Sequence, residues 1–98
     1  MRDLSRAELV VICLMPTGEK NAIRQSEIAE LTGYNTREIR LIINSLRSED
    51  YPICSGNYGY YMPESKEDII STINRMSSQV DTLNQSIIHL RRSVDRYE

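Results

Sequence analysis

Residues 25–44 read QSEIAELTGYNTREIRLIIN and break naturally into a short helix, a tight turn and a second helix. Gly33 is the hinge, because a glycine takes the left-handed conformation that ends a helix without a steric penalty. Asn35 or Thr36 then caps the free amides of the helix that follows. Ala29 is small where two helices must approach closely, and Ile28, Ile39 and Ile42 point into a shared core. At about 100° per residue, Ile39, Ile42, Ile43 and Leu46 cluster on one face. Arg37, Arg40, Leu41, Asn44 and Ser48 are left on the other, which is polar, basic and amide-bearing.

Upstream, Ser5-Arg6-Ala7-Glu8 has the spacing of a capping box, with Leu4 and Leu9 as a hydrophobic staple. This first helix should stop before Pro16, and residues 17–21 then read as a turn. Its run VVICLM at 10–15 is apolar all round, which predicts burial on more than one side. Either a dimer interface or a fully wrapped central helix supplies the second side. Residues 21–24 are too short for a helix and suit a minor strand. Downstream, two short β-branched or aromatic runs, 51–55 and 58–62, flank Gly56-Asn57 and predict an antiparallel hairpin. Alternate strand residues face opposite ways, so at least one of Tyr60 and Tyr61 belongs to the core.

Helix, short strand, helix, tight turn, helix and hairpin, in that order, resemble a winged helix-turn-helix domain over residues 4–62. The carriers are Ile28-Ala29, Gly33, Ile39 and Ile42, at the spacing of the motif, and the segment IRLIINSLRSEDYPICSGNYGYYM at 39–62. That segment is similar to the recognition helix and wing of small winged-helix proteins, including those of phages of Gram-positive bacteria and the biotin-repressor-like group. Thr32 departs from the motif, which usually has an apolar residue there, and Gln25 is a weak cap for the motif's first helix. The resemblance implies double-stranded DNA as partner. Arginine pairs bidentately with guanine and asparagine with adenine in the major groove, which gives Thr36, Arg37, Arg40 and Asn44 the reading role. Asn57 and Tyr58 of the wing would touch the sugar-phosphate backbone or the minor groove. Arg24 and Arg47 would flank as phosphate contacts, which position a domain without reading sequence.

Charge restrains this expectation. The 98 residues carry 12 Lys+Arg and 14 Asp+Glu, a formal net charge of −2. The deficit is shared, with 7 basic and 8 acidic residues in 1–62 and 5 and 6 in 63–98. A protein that lives by unselective phosphate attraction is usually basic, so binding here must come from a few placed side chains. A domain of about this size also buries only about 60% of its unfolded surface and gains from pairing with a second copy.

The pairing device is read in residues 63–98, which contain no glycine and no proline after Pro63. Ser65 can cap a helix with Glu67 and Asp68 in its first turn, and Arg91, Arg92 and Arg96 lie near its C-terminus; both placements favour the helix dipole. Ile73, Val80, Ile87 and Val94 as a positions make Ile69, Met76, Leu83, Leu90 and Tyr97 the d positions, and all nine are apolar. That pattern favours a two-stranded parallel coiled coil roughly 40 Å long. The alternative is that the helix folds back onto the first helix of its own chain. The expected architecture is mainly α with a small β-hairpin (α+β): a winged helix-turn-helix domain over 1–62 and a dimerisation helix over 63–98.

Other chemistry finds little footing. Cys13 and Cys54 share no metal-like spacing with each other or with His89, so both read as buried small hydrophobes and no metal, cofactor or disulfide is expected. No nucleophile lies near a base in the sequence and no paired carboxylates stand out, so an enzyme is not expected. The run 10–15 is too short to span a bilayer, and the cysteine usage suits the cytoplasm. The expected function is sequence-selective DNA binding by a homodimer, as a transcriptional regulator or phage replication accessory factor. A competing expectation is a protein-interaction module or inhibitor on the same scaffold.

Overall fold

In a computed structural model, which describes residues 3–94 and Arg96, the chain is mainly helical with one small antiparallel hairpin. Helix α1, Arg6–Leu14, begins with the capping box written in its sequence. The Ser5 hydroxyl accepts from the Glu8 amide at 3.2 Å, and the Glu8 carboxylate accepts from the Ser5 amide at 2.9 Å. The second carboxylate oxygen of buried Glu8 accepts from the Ser45 hydroxyl at 2.9 Å, which fixes the start of α1 against α3. A 3-10 turn, Glu19–Asn21, leads to α2, Gln25–Thr32.

Gly33 closes α2 in the left-handed conformation, with φ 79°. Helix α3, Thr36–Ser48, is capped by Asn35, whose side chain accepts from the Glu38 amide at 2.8 Å. The polar Thr32 has a local use. Its hydroxyl donates to the Ile28 carbonyl at 2.7 Å and accepts from the Tyr34 amide at 3.2 Å, which braces the turn across Gly33. Gln25 does not cap α2; its side-chain amide donates to the Thr36 carbonyl at 2.7 Å and straps the two helix starts together. Val11, Met15, Ile28, Ile39, Ile43, Leu46 and Ile53 form the core, so α1, α2 and α3 share one apolar centre.

Strands β1, Cys54–Gly56, and β2, Gly59–Tyr61, pair antiparallel with Cys54 opposite Tyr61 and Gly56 opposite Gly59. The turn residues are therefore Asn57 and Tyr58, one position later than the expected Gly56-Asn57. Tyr61 is buried, as the alternation of strand faces requires for one of the tyrosine pair. The expected minor strand at 21–24 shrinks to a single bridge. The Ile23 amide donates to the Tyr60 carbonyl at 2.9 Å, and the Tyr60 amide donates back at 2.8 Å. A second bridge joins Thr17 to Met62, so the outer edge of β2 is covered by the 16–23 segment.

Helix α4, Lys66–Val94, covers the outer edge of β1. The hydroxyl of buried Thr72 accepts from the Ser55 amide at 3.3 Å and lies within donating reach of the Ser55 and Asp68 carbonyls, at 3.4 and 3.1 Å. The Ser55 amide is thus engaged by this side chain, whose single proton serves either the Asp68 or the Ser55 carbonyl, and the edge of β1 is covered there. At the start of α4 it is the Asp68 carboxylate that accepts from the Glu64 amide, at 2.9 Å. Beyond Gln79, which still lines the space beside α3 and the hairpin, the apolar stripe of α4 is exposed. The radius of gyration is 16.7 Å, against about 13 Å for a compact chain of this length, and the longest extent is 52 Å.

Three expectations need correction. Cys13 is exposed, because it lies on the side of α1 away from Val11 and Met15; only Cys54 is a buried small hydrophobe. Leu9 and Val10 are exposed beside it, so α1 is not wrapped within one chain and its second apolar side is open. Helix α4 does not fold back along α1: it docks on β1 through Thr72, and the stripe from Ile73 to Val94 is exposed. No helix among the described residues is long and apolar enough to cross a membrane.

Candidate nucleic-acid interface

The amphipathic register of α3 decides which side chains are available. Ile39, Ile43 and Leu46 point inward and are almost completely buried, which forces Arg37, Arg40, Leu41 and Asn44 outward. The hairpin stands beside this outward face, and the two enclose an open cleft. Arg24, Arg40, Asn44, Arg47, Asn57 and Tyr58, all singled out in the sequence, line it. Thr36 and Arg37 are exposed on the first turn of α3 and do not line the cleft; they extend the same face toward the helix start.

Four arginines, Arg24, Arg40, Arg47 and Arg75, line the cleft and no aspartate or glutamate does. The acidic excess of the whole chain therefore lies elsewhere, and this concavity is locally positive. Such a wall attracts anions at short range whatever the net charge, because exposed charges farther than about 8–10 Å are screened at ordinary salt.

The arginines differ in freedom. Arg24 and Arg40 are exposed, whereas Arg47 is half-buried under the hairpin. Its Nε donates to the Ile53 carbonyl at 2.9 Å and its Nη2 reaches the Ser55 hydroxyl at 3.4 Å. Burial pulls its guanidinium below the ordinary arginine pKa, and the like charge of Arg75 acts in the same direction. It remains protonated at any physiological pH. Arg47 accordingly braces α3 against β1 and offers the cleft only part of its guanidinium. Tyr58, 61% exposed at the hairpin tip, is the most accessible aromatic surface beside the cleft.

Sequence reasoning missed Arg75. In the heptad frame it falls at an outward c position, where an arginine reads as solvated. The docking of α4 on β1 instead brings it into the cleft, where its Nη2 donates to the Ser55 hydroxyl at 2.8 Å. No signal in the sequence pairs Arg75 with Ser55.

The seam residues split into two groups. Ile69 is half-buried and, with Ile53 and Thr72, lines a small apolar pocket on the 50–54 segment. Ile73, Met76, Val80, Leu83, Ile87, Leu90 and Val94 are exposed, from 41% at Met76 to 68% at Leu90. Tyr97 lies outside the described residues. Among the described residues no three His, Cys, Asp or Glu side chains gather as a metal ion would need. No protein-family model, curated protein or solved structure matches this chain.

Proposed function

We propose that the chain is a winged helix-turn-helix protein that binds double-stranded DNA sequence-selectively as a dimer. Helix α3 is the recognition helix, the hairpin is the wing, and α4 pairs with its copy as a parallel coiled coil. The observation that carries the reading is the cleft between α3 and the hairpin, where four arginines meet Asn44 and Asn57 with no carboxylate in the lining. Arg37, Arg40 and Asn44 are the base readers, with Thr36 at the helix start, and Arg24, Asn57 and Tyr58 meet the backbone. The exposed seam supports dimerisation, since a contiguous apolar stripe left in water is rare on a stable monomer. On this reading the protein is a binder, acting as a regulator or replication accessory factor.

In vitro selection from random duplex DNA tests it. The expected result is a palindrome whose half-sites are centred about 10 bp, or a multiple, apart. Arg40→Ala should relax the enriched sequence at one position per half-site and cost about 1–3 kcal/mol per contact, with dimerisation unchanged. Selection that enriches no motif at moderate salt rejects the reading. It would shift the assignment to a protein-interaction module, for which the exposed Leu9 and Val10 of α1 provide an apolar surface.

A further inference from the structure

Arg47 from α3, Ser55 from β1 and Arg75 from α4 meet where those three elements join, on the wall of the cleft. Both guanidiniums converge on the one Ser55 hydroxyl, at 3.4 Å from Arg47 and 2.8 Å from Arg75. A hydroxyl accepts these bonds but brings no negative charge. The like charges are not balanced within the cleft, since no carboxylate lines it, and Asp68, two turns earlier on α4, is tied to the Glu64 amide. In addition, the Nε of Arg75 is buried without a hydrogen-bond partner. A buried donor left unpaired is costly, so this N–H favours an acceptor brought beside it. Burial also lowers the pKa of Arg47, with a smaller contribution in the same direction from Arg75.

We propose that Arg75 and Arg47, held in place by Ser55, form a phosphate-binding site at the junction of α3, the hairpin and the tail helix. A phosphate group answers each feature: two negative charges or one diester charge for two guanidiniums, and acceptor oxygens in number for their remaining N–H groups. Resting on the DNA reading above, the occupant is a backbone phosphodiester, and α4 then contributes to the DNA contact as well as to the dimer. A free phosphate is the other source of the same chemistry.

Two measurements on the full chain separate these sources. The first is the salt dependence of affinity for a selected and an unrelated duplex. Arg75→Gln should weaken both by a similar factor and lower the slope of log K against log salt by about 0.9 per subunit, the release expected for one phosphate contact. Arg92→Gln, which removes the same charge from an exposed site outside the cleft, should leave the slope unchanged. The second is the melting temperature in inorganic phosphate against chloride at matched ionic strength. A stabilisation by phosphate that Arg75→Gln removes and Arg92→Gln keeps supports the site even if no duplex is bound, and assigns it to free phosphate. If Arg75→Gln behaves as Arg92→Gln does in both measurements, the site does not exist. Arg75→Lys, which keeps the charge and loses the planar fork, guards against a folding artefact and should retain most of the salt slope.

Discussion

Gly33 and Gly59 both have positive φ, at 79° and 122°, yet they are required for different reasons. A β-carbon on Gly33 would meet nothing within contact distance, whereas one on Gly59 would run into the backbone carbonyl of Ile23. Gly33→Ala should therefore cost about 1 kcal/mol, the conformational term alone, and Gly59→Ala clearly more, because the bridge between Ile23 and Tyr60 must open. Urea unfolding of the two variants checks the order, and equal losses would contradict the close approach. Cys54 and Tyr61 face each other across the hairpin and make the fold sensitive to alkali. Burial pushes both above their ordinary pKa, opposed in each case by the Thr72 hydroxyl. Each ionises first in the unfolded chain, so over the intervening range the native state binds more protons and stability falls as pH rises. The stabilisation is complete below the ordinary values, roughly 8.5 for the thiol and 10 for the phenol, and is lost through the raised ones. Unfolding followed from pH 7 to 11 should show this decline, and Cys54→Ala should flatten its earlier part; an unchanged profile in that variant would assign the loss to other groups.

At the scale of elements, the sequence was readable wherever a structural decision is local. The Ser5 to Glu8 box, the glycine that ends α2, the Asn35 cap and the inward face of α3 each need fewer than a dozen residues to specify, and each formed as written. The hairpin was readable to within one residue of its turn, since both Gly56-Asn57 and Asn57-Tyr58 satisfy the local signals and register is set by Cys54 and Tyr61 burying on the same face. Contacts between remote elements were not readable. Thr72 and Arg75 lie on the side of α4 that meets β1, but a strict heptad frame assigns them to a flank and to the outside. Cys13 failed for the same reason: six apolar residues in a row do not say which of them a neighbour will cover. Of the cleft arginines, the helical period alone puts Arg40 on the outward face, while Arg24 and Arg47 were named only through the resemblance. The role of Arg47 as a brace, and of Arg75 as a member of the cleft, required the hairpin and α4 to be seen together.

For the whole molecule, the position along α4 where its contacts with the α1–β2 body end governs what can be removed. The first turns of α4 complete the domain, through Thr72 on β1, Ile69 on the 50–54 segment and Met76 and Gln79 at the cleft, while the apolar stripe from Val80 onward is exposed. A helix of this length with a bare apolar stripe is marginal alone in water, so on the dimer proposal the second copy is what holds its outer half. Replacing Val80 and Leu83 together by glutamate places charge at adjacent a and d positions, with no effect on the α1–α3 core. The double variant should scatter light as a monomer, lose ellipticity from the outer half of α4, and keep the cooperative unfolding of the remainder. On the DNA proposal, affinity for a two-half-site duplex should fall by about 10²–10⁴, the loss expected when two linked contacts become independent, while binding to one half-site changes little. Helix loss without a change in mass would show that α4 is supported by its own chain, and a retained dimer would move the interface to the open Leu9 and Val10 side of α1.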